Sequence, residues 1–200
     1  LGCILGLIKT FQALHKAGLC YPDLKAENVM FNETDTHMDP ECEPGAIPAT
    51  YHVHFKLVDV DCIESLSDPQ VGTQCLTPAY IDPCLIKLGH ASGRPEGSVS
   101  RVDDMKAGCC YRIAIVLFEA FMGIFPFEKE LETPVLDEND QLGDPMQREM
   151  RRRIEFIKRE GDGLPTSLRE VFKILTCTKR FAAPDKILNK AHDYIKQYLS

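Results

Sequence analysis

An α+β fold, mainly helical with one small two-stranded β ribbon, is what this 200-residue chain predicts, and three patterns carry the prediction. Apolar residues recur at helical spacing near both ends: Leu1, Ile4, Leu5, Ile8, Phe11 and Leu14, then Ile187, Leu188, Ala191, Tyr194, Ile195 and Leu199. A nearly unbroken apolar stretch, Ile113 to Phe118 with Ala120, Phe121 and Met122, marks a helix buried on almost every side. Two short runs, Val29-Met30-Phe31 and residues 53–58, have the composition of strands.

Taken in order, residues 2–16 read as an amphipathic helix that Gly18 ends, delivering the chain to Tyr21-Pro22-Asp23. The strand at 29–31 leads into a polar insertion at 32–50, where five acidic residues and three prolines have the composition of a solvated loop. The strand at 53–58 then pairs back as a hairpin. Asp59 and Asp61 sit at its exit, where carboxylates suit a divalent cation or, equally, cap a turn. Residues 65–97 are rich in Pro, Gly, Ser, Thr and Asp and read as a long ordered loop. The central helix covers about 107–122, Gly123 ends it, and Pro126-Phe127 turns the chain away. A charged helix is predicted over 145–159, with Arg151-Arg152-Arg153 on its solvated face. Ser167 and Glu170 have the spacing of a capping box opening a helix over Val171, Ile174 and Leu175, and Pro184 opens the last one.

Composition narrows the function classes. With 44% apolar and 26% charged residues, the chain can bury the core of one soluble domain. A net charge of -7, from 23 basic and 30 acidic residues, argues against binding nucleic acid, which needs a basic surface. The nine cysteines form no C-x-x-C pair and no histidines stand at finger spacing, so structural zinc is not expected. They read as buried thiols in a reducing, cytoplasmic setting, with a secreted protein carrying one or two disulfides as the alternative. The longest apolar run, Ile113 to Phe118, is too short for a transmembrane segment. Because the chain opens mid-pattern on Leu1-Gly2-Cys3, it is expected to be part of something longer.

Chemistry concentrates in Tyr21 to Asn28, where Asp23, Lys25 and Asn28 place a carboxylate, an ammonium and a carboxamide within six residues, just before a strand. Asp23-Leu24-Lys25-Ala26-Glu27-Asn28 resembles the catalytic loop of a eukaryotic-type protein kinase. Further landmarks follow in the family's order: Asp59-Val60-Asp61, Gly72-Thr73, Thr77 to Cys84, the helix at 113–123 with Pro126-Phe127, and Lys179-Arg180. The resemblance covers nearly the whole chain. It implies that residues 1–200 are a protein kinase C-terminal lobe, with catalytic loop 21–28, insertion 32–50, metal loop and activation segment 59–84, and central helix about 107–122.

What that resemblance implies for function is transfer of the ATP γ-phosphate to a protein serine or threonine hydroxyl, Lys25 being like the serine/threonine branch. Asp23 would accept or orient the hydroxyl proton, Lys25 would meet the γ-phosphate, and Asn28 and Asp59 would hold Mg2+. The implied partners are a protein substrate or regulatory protein and an N-terminal lobe. That lobe's glycine-rich loop, strand lysine and helix glutamate do not occur ahead of the catalytic loop, so the isolated chain is expected to be inactive.

Departures from the family pattern point to an alternative, a pseudokinase or scaffold acting through protein–protein interaction. Pro22 replaces an arginine and cannot gather a phosphorylated loop, which implies control independent of loop phosphorylation. Asp61 replaces a glycine and would either add a third carboxylate or distort the metal loop. Cys84 replaces the glutamate that pairs with the late arginine, so Arg180 is expected to be solvated or paired elsewhere. Cys109 and Tyr111 stand where the central helix has aspartate and tryptophan, and Asp103 and Asp104 lie too far upstream without a local shift. Long insertions and a rearranged activation segment also resemble, more weakly, secreted rhoptry-type kinases of apicomplexan parasites. A small-molecule kinase is disfavoured by Gly72-Thr73 and Thr77 to Pro83, which resemble a peptide-facing segment.

Overall fold

The computed structural model describes residues 2–33, 53–67, 80, 82, 101–123, 155, 159 and 163–199. In chain order these form α1 (Gly2–Lys16), β1 (Leu19–Cys20), β2 (Val29–Glu33), β3 (Val53–Leu57), β4 (Glu64–Ser65), α2 (Arg101–Met122), α3 (Thr166–Thr176) and α4 (Pro184–Leu199). Single 3-10 turns lie at Ala26–Asn28, Val60–Cys62 and Thr178–Phe181. The described residues are thus mostly helical, with little sheet.

α1 buries Ile4, Leu7, Ile8, Phe11 and His15 along one stripe, the face that the helical spacing marks. Gly18 closes it at φ +73, where a side chain would be strained, and its carbonyl accepts from Leu66 N–H at 2.8 Å. That bond sits beside a two-stranded sheet that sequence reading misses: β1 pairs antiparallel with β4, Leu19 opposite Ser65. Strands of two residues are too short to show any period.

β2 and β3 pair antiparallel from Val29 opposite Leu57 to Glu33 opposite Val53, the expected hairpin. β2 runs two residues past Phe31, into what reads as the start of the insertion. The ribbon packs onto α1 through Phe55. A Cβ at Gly6 would lie 2.8 Å from the Phe55 Cδ1, so the glycine lets the ring rest on the helix backbone.

α2 is the hub, packed against α1, α3 and α4. Every residue from Ala107 to Phe118 is buried, as its all-round apolar pattern requires. The helix starts six residues earlier than the apolar run shows, because Asp103 and Asp104 occupy a first turn that favours negative charge. Gly123 ends it at φ +68.

α3 begins where expected, but without a capping box. Pro165 precedes it with no side-chain cap, Ser167 is buried inside the first turn, and Glu170 faces Lys173 at 3.5 Å. Arg169 ties this end to the preceding chain, its amide donating the first helical bond to Pro165 O at 2.8 Å and its guanidinium donating to Leu164 O at 3.0 Å. Core packing of Ser167 has outweighed a local motif worth about 1 kcal/mol.

Cys3, Cys20, Cys62, Cys109, Cys110 and Cys177 are free thiols. Among the described residues no helix is long and apolar enough to cross a membrane. Of the insertion 32–50, residues 34–50 lie outside the described residues, as do Gly72-Thr73, Thr77 to Ala79, Cys84, Pro126-Phe127, Arg151-Arg152-Arg153 and most of the helix expected at 145–159.

Candidate active site

Two segments meet at the end of the β2–β3 ribbon. Val58 N–H donates to Asn28 O at 3.0 Å, and Tyr21 Oη donates to Val58 O at 2.9 Å, so the segment carrying Asp23 and Asn28 is tied to the one carrying Asp59. Tyr21 has no exposed surface and packs 6.5 Å from the Phe11 ring. Burial above all, against the hydrogen bond from Asn28 and with the negative charge of Asp23 and Asp59 behind it, pushes its hydroxyl up to about 12. It therefore stays a neutral donor.

Asn28 is 4% exposed, and its amide nitrogen donates to Tyr21 Oη at 2.8 Å and Asp23 O at 3.0 Å. The carbonyl can only accept, and Tyr21 has given its proton to Val58, so both contacts demand N–H donors. The carboxamide oxygen is thereby left as the ligand end.

Asp23 is buried, and Lys25 Nζ lies 3.1 Å from its Oδ2. The hydrogen bond to Asp23 raises the Lys25 pKa, keeping the ammonium charged. Asp59 is exposed and holds φ +57, the one non-glycine residue at positive φ among those described. Aspartate tolerates that region, and strain of this kind concentrates at functional sites. The Asp59 carboxylate makes no hydrogen bond or ion pair among the described residues.

Donor atoms of Asp23, Asp59 and Cys62 lie within 4.8 Å of one another. The structure therefore brings Asp59 to Asp23, with Lys25 paired to the Asp23 carboxylate and Asn28 bonded to the Asp23 backbone and, through its own carbonyl, to Val58. Asp61 does not join them. It faces solvent in the Val60–Cys62 turn, and the third donor is Cys62, which nothing in the sequence marks.

No family model, no curated protein and no solved structure matches the chain.

Behind the site, Tyr80 and Cys109 anchor it. Tyr80 Oη donates to Glu119 Oε2 at 2.6 Å and accepts from Ala26 N–H at 3.3 Å, bridging the Asp23–Asn28 loop to α2. Cys109 Sγ lies 3.8 Å from Tyr21 O, so the cysteine meets the loop backbone from the position where the sequence resemblance expects an aspartate. Burial pushes this thiol up to about 11, and it packs as a neutral donor. Arg112, 2% exposed, lies wholly inside α2's buried stretch, and burial lowers its pKa despite the nearby Cys109, Asp82 and Asp23.

Arg180 is not solvated. It is 2% exposed and clasps Asp82, itself 0% exposed, through Nε to Oδ2 at 2.9 Å and Nη2 to Oδ1 at 2.8 Å. Its Nη1 reaches Thr176 O and Cys177 O, and its plane covers the Phe181 ring at 4.5 Å. Re-pairing, one of the two outcomes expected when Cys84 takes the glutamate's place, is the one observed. Asp82 stands two residues before Cys84 in the sequence, and its side chain is one methylene shorter than a glutamate's.

Proposed function

We propose that this chain is the C-terminal lobe of a divergent serine/threonine protein kinase, which with an N-terminal lobe transfers the ATP γ-phosphate to a protein hydroxyl. What supports the reading is that donor atoms of Asp23 and Asp59, from two segments, lie within 4.8 Å of each other, with Lys25 paired to Asp23 and Asn28 bonded to the Asp23 backbone. Phosphoryl transfer asks for little covalent help from a protein; it asks for a positioned hydroxyl and fixed charge.

Asp23 is the group to accept the substrate hydroxyl's proton, held in place by Asn28 through its backbone and by Lys25 through its side chain. Lys25, charged and 24% exposed at its side chain, can turn from Asp23 to a phosphate oxygen. Asn28 Oδ1 and the Asp59 carboxylate are the oxygen donors that fit Mg2+, which when bound supplies charge neutralisation of the phosphates. Pro22 offers no cation to a phosphorylated loop, so activity is independent of such phosphorylation.

The test is ATP-dependent transfer to protein serine or threonine by the chain joined to its N-terminal lobe, before and after phosphatase treatment. Transfer survives the phosphatase and falls about 100-fold or more in Asp23→Ala. A second reading, a pseudokinase scaffold, is favoured by Cys109, a weaker support for the loop than a carboxylate. A folded two-lobe protein that neither transfers phosphate nor binds ATP establishes that reading and removes the first.

A further inference from the structure

Mg2+ has no use for sulfur, yet two carboxylates and a thiol, those of Asp23, Asp59 and Cys62, gather at this site. We infer that Asp23, Asp59 and Cys62 form a three-ligand site for a borderline divalent cation of the Zn2+ type. The inference rests on the donor set and geometry and does not depend on the transferase reading.

Size fits. Zn2+ bonds of 2.0–2.3 Å in a tetrahedron put ligand atoms about 3.3–3.8 Å apart, and these atoms, already within 4.8 Å of each other, need to close by about 1 Å. Asp59 is exposed at the mouth, and its carboxylate has no protein partner to give up among the described residues, so closure is cheap on that side. Asp23 and Cys62 are buried, held by the Asn28 and Tyr21 bonds and by the Val60–Cys62 turn, whose Ile63 N–H returns to Val60 O at 3.0 Å.

Charge fits as well. Two carboxylates and a thiolate are anionic donors, the thiol giving up its proton as the metal binds, and such a set suits a divalent cation. A thiolate selects Zn2+ or Co2+ over Mg2+ and Ca2+, which take oxygen. Three protein ligands leave the fourth position open to water or a ligand oxygen, as in sites that are not purely structural. Such an ion occupies Asp23 and Asp59 together, so where those residues serve transfer it competes with Mg2+ and inhibits.

Co2+ titration of the reduced chain tests this by absorption. The expected result is one equivalent of tetrahedral Co2+ with a sulfur-to-metal charge-transfer band, displaced by one equivalent of Zn2+ and untouched by equimolar Mg2+. Cys62→Ser abolishes the band, and Asp59→Asn weakens Co2+ binding about tenfold or more. Absence of the band in the parent chain, its persistence in Cys62→Ser, or displacement by equimolar Mg2+ overturns the inference. Should Cys62→Ser fail to fold, Asp59→Asn decides alone, since its side chain is exposed, and unchanged affinity there overturns the inference too. ATP-dependent transfer without the cobalt band removes only the metal site, and the band without transfer removes only the kinase reading.

Discussion

Replacing Asp82 with alanine strips one buried ion of its counter-ion. Among the described residues, Arg180 then keeps Thr176 O, Cys177 O and the Phe181 face, and loses the Asp82 oxygens that its Nε and Nη2 groups reach. Both partners are essentially free of solvent, so water cannot take over the vacated contacts without opening the core. Breaking a buried pair from one side costs about 3–5 kcal/mol, a large share of the ~5–15 kcal/mol that holds a typical domain together. At a urea slope of about 2 kcal/mol/M, the midpoint of Asp82→Ala falls by roughly 1.5–2.5 M with the slope unchanged. Removing both charges with volume kept, as in Asp82→Leu with Arg180→Met, restores most of the loss, because a paired buried ion contributes little beyond an apolar isostere. A single-mutant loss below about 1 kcal/mol would mean that the pair is wet and that the reasoning from burial is wrong.

Two other perturbations follow from the same structure. Gly6→Ala gains about 1 kcal/mol of helix propensity but drives a methyl into the Phe55 ring; overpacking of about 1–3 kcal/mol leaves a net loss in thermal or urea unfolding, which Gly6→Ala with Phe55→Leu turns into a gain. His15, from α1, sits 3.0 Å from Asp185 on α4, which also takes Lys106 at 2.7 Å. Burial lowers the His15 pKa below 6.5, more than Asp185 raises it, and Nε2 meets no hydrogen-bond partner among the described residues. Below pH 6.5 the unfolded chain therefore takes up a proton that the folded chain refuses, so stability falls with acid. Asp185 adds to the trend lower down: burial raises its pKa, but the bonds from Lys106 and His15 win and hold it below 3.8. His15→Gln flattens the stability slope just below pH 6.5, and an unchanged slope rules His15 out as its source.

Much of this protein was legible in the order of its residues. The stripes of α1 and α4, the all-apolar run of α2 and the strands flanking the insertion are local patterns, and a local period survives whatever the chain packs against. Asp23, Lys25 and Asn28 announced themselves because three unlike polar groups in six residues have no use in a core. Where α2 begins was not legible, since Asp103 and Asp104 belong to a helix start only once the hub is packed. The capping box at Ser167 and Glu170 was a sound motif that burial of Ser167 overruled.

Contacts between distant positions were beyond reach of any such reading. Asp82 with Arg180 lies 98 residues apart in sequence, and nothing local tells a buried aspartate from an exposed one. Cys62 looked like one more small hydrophobe until the turn after Asp59 laid it beside Asp23. The sequence by itself determined helices α1 to α4 and the β2–β3 ribbon, and it singled out Asp23, Lys25, Asn28 and Asp59 as groups available for chemistry. Tertiary structure alone decided which of those groups meet, because side-chain proximity across the chain is set by how the elements pack, and that packing energy is shared among residues far apart.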